Sequence, residues 1–248
     1  MNIIDKINKT RYSLKEILED DWNTSTIKDL SNDEIKKMYE IKESKNSPLG
    51  TATGCNFSLS HKLLPSHKLH IIYYNFPEIG RVGTKVTKSC SDKILNLYNS
   101  DLFNFDDSVF IIINEKLTDS IEQSIERLNI HLQSELKEKN LRDEILKEIR
   151  KNKLNLEFKH FSNVHIFNIN SLTNNLLKHR LVPKHRAIRD NNEIKEILDK
   201  TNCSLNQLPI IHKNDAMSKL VRLAPGDVCE ILRTSKQCGE YNYYRLCK

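Results

Sequence analysis

The sequence predicts an α/β domain over residues 1–177, followed by a small α+β domain over residues 178–248. Three observations carry this reading. First, Val109-Phe110-Ile111-Ile112-Ile113 is an unbroken apolar, β-branched run. Helical periodicity follows at once, then a second strand pattern at 163–167, and strand–helix–strand order marks an α/β sheet. Second, the charge changes at residue 178. Residues 1–177 hold 25 Lys+Arg against 25 Asp+Glu and residues 178–248 hold 14 against 8, so the whole net charge of +6 lies in the second segment. Third, that segment ends in two strand patterns, Gly226–Arg233 and Tyr241–Leu246, joined by a turn that includes Gly239 and preceded by short helices.

The elements follow in order. Residues 3–21 read as a helix, with Ile3, Ile4, Ile7, Tyr12, Leu14 and Ile17 near helical spacing. Ser31-Asn32-Asp33-Glu34 is a capping box that starts a second helix. From Lys42 to Ser66 the chain is rich in Ser, Thr, Gly, Pro and Asn, and reads as a loop. Leu69–Tyr74 is a strand pattern, residues 75–80 a turn, and Gly83–Val86 a short strand. After Val109–Ile113 comes the helix Thr118–Leu128, with Thr118 as N-cap. Residues 133–155 carry many charges of both signs and one narrow stripe of Leu136, Leu141, Ile145 and Ile149. This is an exposed helix whose stripe packs either on its own domain or in a partner's groove. Beyond residue 178, Ile194, Ile197 and Leu198 share one side of a helix, Asn206–Ile210 ends a short loop, and Asp215 caps a helix that runs through Val221.

Composition narrows the function classes. In a chain of 248 residues, 38% hydrophobic and 29% charged, with mean hydropathy −0.56, the cores are modest, and a partner surface could supply the missing burial. A basic segment fits nucleic acid, an acidic protein surface, or simply a solvated face. Cys55, Cys90, Cys203, Cys229, Cys238 and Cys247 contain no C-x-x-C pair, which argues against a zinc ribbon and for reduced structural thiols in an intracellular setting. Asp5 and Lys6 interrupt the N-terminal apolar residues, against a signal peptide, and the apolar runs are too short to span a bilayer, so no membrane partner is expected. There is no P-loop and no G-x-S-x-G elbow. Glu157-Phe158-Lys159 has the Glu-x-Lys spacing of a metal-dependent nuclease, but no Asp is placed to complete it, and Glu78 and Lys85 are separated by a glycine-containing turn. No catalytic residue, metal or cofactor is assigned to this chain.

The most specific signals are in the last seventy or so residues. They are His179, Leu181, Val182, Pro183 and His185; Leu208-Pro209; Asp215; Gly226-Asp227-Val228; Ile231, Arg233 and Ser235; Gln237-Cys238-Gly239; and Tyr244-Arg245. In this order and spacing they resemble the C-terminal assembly domain of the fifth common subunit of eukaryotic DNA-directed RNA polymerases and of its archaeal equivalent. His-x-Leu-Val-Pro-x-His is a full match, and Pro183 pushes Val182 toward an extended, stiff joint. Two departures stand out. Ala216 replaces the family's proline after Asp215, a mild change because that proline only pre-sets the first helical turn, and Gln237-Cys238 replaces its Thr-Ala/Ser. The likeness is weaker over 1–177, which resembles the family's jaw domain, a restriction-nuclease-like fold without a catalytic centre. There, Tyr73–Val86, with Phe76 and Gly83 before Thr84-Lys85-Val86, resembles the family's strand–turn–strand. The 133–155 region is longer than the family's pattern.

The resemblance implies a non-catalytic subunit of a multisubunit RNA polymerase. Its C-terminal domain would dock on the largest subunit and touch other polymerase subunits. Its jaw would line the channel of downstream duplex DNA, contacting it without sequence specificity. The implied assembly residues are His179, Leu181, Val182, Pro183, His185, Asp215, Gly226, Val228, Ile231, Arg233, Ser235, Gly239, Tyr244 and Arg245. Arg233 and Arg245 either present the docking surface or satisfy carbonyls inside the module. Lys85, Lys88 and Lys93 are candidate DNA contacts or else a solvated face. Two other readings stand beside this one: a nuclease-fold nucleic-acid-processing protein, and a polymerase-associated interaction protein. Abundant Asn, Lys and Ile fit an AT-rich genome, and the divergent jaw suits a large DNA virus of eukaryotes or a protist. The subunit would then act in host cytoplasm or virion in the first case, and in the nucleus in the second.

Overall fold

A computed structural model describes residues 2–41, 51–81, 83, 85–237 and 239–248. The chain divides into two compact units: Met1–Asn152 with Phe161–Asn174, and Lys153–His160 with Asn175–Lys248. The boundary is therefore not a single cut, because the short segment 153–160 belongs with the C-terminal residues.

The first unit opens with helices α1 (Ile3–Ile17) and α2 (Asn32–Glu40). Helix α1 ends at Ile17 with Leu18 as its C-cap, short of the expected residue 21, and Trp22 then forms an isolated β-bridge with His61. Ser31 caps α2 as expected: its Oγ accepts from the Glu34 amide, and its amide donates to Glu34 Oε2 at 2.8 Å. Residues 42–50 lie outside the described residues. The polar stretch read as one loop contains a strand, β1 (Phe57–Ser60), whose alternating Ser residues disguise it.

The sheet of this unit has the order β1-β2-β3-β4, with β2 (Lys68–Tyr73), β3 (Ser108–Ile113) and β4 (Val164–Asn168). β1 runs antiparallel to β2, while β2–β3 and β3–β4 are parallel. Parallel neighbours need crossovers. α3 (Ser89–Asn99) provides the first, and α4 (Asp119–Lys139) with α5 (Asp143–Asn152) the second. Every residue of β3 is buried, as its unbroken apolar run requires. Ile111 sits between Ile72 and Ile166, and this row packs with Ile94 and Leu97 of α3 and Ile121, Ile125 and Leu128 of α4. On the other face, Phe110 sits between Ile71 and His165, with its ring 5.0 Å from that of Phe167. Each such side chain contributes roughly 1.5–3 kcal/mol on burial. The edge strand β4 is closed by Asn129 of α4, which donates to the Val164 carbonyl at 2.9 Å and accepts from its amide at 2.7 Å.

Two sequence expectations fail here. Gly83–Val86 is not a strand: Gly83, Lys85 and Val86 lie in none, and the Val86 amide is taken by the Glu115 carboxylate at 2.7 Å, while Val82 and Thr84 lie outside the described residues. The charged region 133–155 is not one helix. α4 runs on to Lys139 and the chain breaks at Asn140, with φ +63°, before α5. The break lets Leu136, Leu141 and Ile145 all bury within their own unit.

In the second unit the described residues form the sheet β5-β7-β8-β6, from β5 (Lys184–Ile188), β6 (Ile210–Ile211), β7 (Val228–Ser235) and β8 (Gly239–Cys247). β5–β7 and β7–β8 are antiparallel, and β6 joins β8 in parallel. The joint read as a stiff linker thus leads straight into an edge strand, and the loop at 206–210 ends in another. Helices α6 (Asn191–Thr201) and α7 (Ala216–Leu220) are capped by Asp190 and Asp215, whose side chains accept from the Asn192 and Met217 amides at 3.0 and 2.8 Å.

Candidate subunit interface

Strand alternation and register sort the C-terminal motif residues onto two faces. Val228, Glu230 and Leu232 oppose Leu246, Tyr244 and Asn242 on one face, with Ile188 and Arg186 of β5 beside them. Cys229, Ile231 and Arg233 oppose Arg245, Tyr243 and Tyr241 on the other, with Ala187 and His185 beside them.

The first face is closed from within. Val228, Leu246 and Ile188 pack with Ile197 and Leu208, and Ile194 and Leu198 of α6 lie against them. Its polar groups are matched internally. The Arg186 Nε donates to Glu230 at 2.7 Å and its Nη2 to Glu193, while Asn242 and the Tyr244 hydroxyl donate to Glu230 at 2.9 and 3.3 Å.

The second face is matched differently. Ile211, Leu223, Cys229, Ile231 and Cys247 form a small apolar cluster with Val221 and Tyr243 against it. Next to it the Arg233 guanidinium lies 4.3 Å from the centroid of the Tyr243 ring, and that of Arg245 lies 5.5 Å from it. Such contacts are worth roughly 0.5–2 kcal/mol each, depending on desolvation. Arg245 Nη1 donates to the Ile210 carbonyl at 3.3 Å, whereas its Nε is buried without a hydrogen-bond partner. Among the described residues neither guanidinium pairs with a carboxylate. His185 Nδ1 lies 2.7 Å from the Pro183 carbonyl. Burial, reinforced by the charges of Arg233 and Arg245, lowers its pKa below the usual 6.5 against the opposing pull of Pro183 and Asp215.

The turn that launches β7 is Ala224-Pro225-Gly226-Asp227. The Asp227 amide donates to the Ala224 carbonyl at 3.0 Å and Gly226 has φ +90°, the conformation for which Pro at the second position and Gly at the third are suited. The buried Asp227 carboxylate gathers the Ala224 amide at 3.1 Å, His160 Nε2 at 3.1 Å, Lys159 Nζ at 3.1 Å and Arg189 Nε at 3.3 Å. Burial alone would raise its pKa, but the hydrogen bond and charge of His160, the Ala224 amide and Arg189 outweigh it and hold the pKa at about 2. The same pairing occupies Lys159 of the Glu-x-Lys motif. Asp106 and Asp107 of the first unit are likewise engaged, by Arg142 at 2.7 Å and His70 at 3.2 Å. Among the described residues no group of three or more His, Cys, Asp and Glu is placed to hold a metal.

The remaining motif residues scatter. His179 accepts from the Leu181 amide through Nδ1 at 3.2 Å and from the Val182 amide through its carbonyl at 2.9 Å, so the joint is locally hydrogen-bonded. It leaves Leu181 77% exposed, more than any other large apolar side chain among the described residues. Ser235 pairs with Gly239, which has φ +68°, and its Oγ accepts from the Gln237 amide at 3.2 Å; Cys238 lies outside the described residues. Thus His185, Ile231, Arg233, Ser235, Gly239 and Arg245 share the second face, and Val228 and Tyr244 point to the first. Sequence reasoning missed Tyr243, which both arginines straddle. Its two-residue offset from Arg245 was the available signal. In the first unit Lys85, Lys88 and Lys93 are exposed around the start of α3, with Lys93 Nζ 5.7 Å from the Tyr74 ring centroid. The thiols of Cys90, Cys229 and Cys247 are free, and burial pushes them up to about 12, 11 and 12. Among the described residues no helix is long and apolar enough to cross a membrane.

Residues 174–247 match the family model described as RNA polymerase Rpb5, C-terminal domain. The chain is 42% identical over 72 residues to DNA-directed RNA polymerase subunit Rpo5 of Pyrococcus horikoshii, covering 29% of this chain and 87% of that one. It is 44% identical over 71 residues to the subunit of the same name in Methanosarcina acetivorans, covering 29% and 90%. Against the DNA-directed RNA polymerases I, II, and III subunit rpabc1 of Dictyostelium discoideum it is 37% identical over 81 residues, covering 33% of this chain and 41% of the relative. With most of the archaeal subunit matched at this identity, the chain belongs to the family of the fifth common subunit of DNA-directed RNA polymerases.

Proposed function

We propose that the C-terminal unit docks this chain on the largest subunit of its polymerase, and that the N-terminal unit lines the downstream DNA channel as a jaw. The arginine-bearing face of the β7–β8 sheet carries the docking reading. Beside a buried apolar cluster it sets two half-buried guanidiniums on a tyrosine, and interfaces are enriched in Arg and Tyr. The exposed Leu181 gives the joint an apolar contact of its own. For the jaw, support comes from Lys85, Lys88 and Lys93, none of which is ion-paired among the described residues. Exposed lysines contact phosphates without reading sequence. One of the two arginines also takes the alternative role of satisfying a carbonyl inside the module. Arg245 meets one carbonyl, at 3.3 Å, and Arg233 meets none among the described residues.

The test is affinity capture of the tagged chain from the cells in which its polymerase is made, with and without residues 178–248. Full-length chain should bring down the largest subunit in equal amount, together with RNA-synthesising activity, and the truncated chain should lose both. Capture of the largest subunit by the truncated chain would place the docking surface elsewhere.

A further inference from the structure

We propose that the arginine-bearing face of the β7–β8 sheet receives an acidic segment of another polymerase subunit, whose Asp or Glu carboxylates pair with Arg233 and Arg245 on either side of Tyr243. The proposal rests on the docking reading and adds the chemistry of the partner.

The two faces of one sheet differ in how charge is matched. On the closed face Arg186 meets two carboxylates of its own unit, Glu193 and Glu230. On the other face two guanidiniums meet none among the described residues. The segment 178–248 has 14 basic and 8 acidic residues, so it holds too few carboxylates to neutralise its own cations. Both guanidiniums are half-buried, and an incoming carboxylate can pair with their accessible Nη atoms, Arg245 Nε being buried. Contact with Tyr243 holds both planes in place beforehand, which lowers the ordering cost of binding. The occupant is a protein segment rather than nucleic acid because the two arginines stand with Tyr243 and with Tyr241, which is 39% exposed, and Arg and Tyr together mark protein interfaces.

The experiment uses the full chain in its polymerase. Arg233→Glu/Arg245→Glu should reduce co-purification of the other subunits at least about tenfold at near-physiological salt, because like charges meet across the contact. Lys195→Glu, an exposed charge on α6, should not. The charge-preserving Arg233→Lys/Arg245→Lys variant should still assemble. It also places amines where a zero-length carbodiimide cross-linker joins amine to carboxylate. Peptide mass spectrometry should then find positions 233 or 245 linked to Asp or Glu of another subunit. Co-purification of the double-Glu variant at wild-type yield would overturn the proposal. So would an assembled double-Lys complex whose cross-links from 233 and 245 stay within this chain, or cross-links that appear only with bound nucleic acid. Failure of the docking reading itself looks different: removal of residues 178–248 would leave assembly intact.

Discussion

Replacing Asp227 by Asn removes one negative charge from the centre of four donors while keeping the side chain's shape. The carboxylate is buried, and its pKa is held at about 2 against an ordinary 3.8. That difference corresponds to about 2 kcal/mol of stability for the folded C-terminal unit. The sign follows from the depression. The contribution is complete above about pH 4, where the unfolded carboxyl is ionised too, and it fades as the pH falls through the folded value near 2. Asn would also turn its amide N–H toward a site now filled by Lys159, His160 and Arg189, all of them donors, so the loss at neutral pH should be at least this large.

Hydrogen exchange followed by mass spectrometry reads this locally. At pH 6–7 the amides of β7 and β8 should exchange about 30-fold faster in Asp227→Asn, the equivalent of about 2 kcal/mol. Trp22, fully buried in the first unit, is the chain's single tryptophan. Its emission should show an unchanged unfolding midpoint in the variant. Between pH 4 and 2 the gap between wild type and variant should close. Unchanged exchange in β7 and β8, or a gap that persists at pH 2, would refute the reasoning that Asp227 acts as an ionised hub.

Three further outcomes are expected. Ile111→Ala, in the centre of the first sheet, should lower stability by about 2–5 kcal/mol as read by Trp22 emission in urea; a loss under about 1 kcal/mol would contradict the full burial of this side chain against α3 and α4. The His185 imidazole should titrate below 6.5 by NMR and rise when Arg233→Gln removes a facing charge; because its folded pKa is depressed, it contributes stability above pH 6.5 that is lost as the pH falls. Lys85→Gln/Lys88→Gln/Lys93→Gln should flatten the salt dependence of the assembled polymerase's affinity for downstream duplex by about 0.9 for each phosphate no longer neutralised, with no change in sequence preference, and an unchanged slope would remove these lysines from the DNA path.

What the sequence revealed and what it hid have physical causes. β3 was legible because burial on both faces leaves no polar residue in the run, and the capping box at Ser31 because four residues contain the whole motif. β1 and the edge strand β5 were hidden because an edge strand tolerates polar residues, and Ser58, Ser60, Lys184 and Arg186 look like loop. The break at Asn140 was hidden because charged residues flank the apolar stripe on both sides of it, so composition does not change where the helix ends. The candidate site falls between these cases. Its residues were named individually from motifs, but their sorting onto faces depends on register across 12 residues of chain, from Ile231 to Tyr243, which local pattern does not contain.

The turn at the start of β7 draws on residues before the matched region. The family match begins at residue 174, yet two of the four donors to Asp227, Lys159 and His160, lie before it. Asp227 fixes the Ala224–Asp227 turn, that turn sets the start of β7, and β7 sets the register that brings Arg233 opposite Tyr241 and beside Tyr243. Residues 153–160 therefore support the strands that carry Arg233 and Arg245, although no family-motif residue lies among them. A C-terminal fragment that begins at 178 would retain every motif residue and lose half of the side-chain and backbone donors that hold its turn. Its β7 and β8 amides should then exchange faster than those of the full chain, in the same direction as Asp227→Asn.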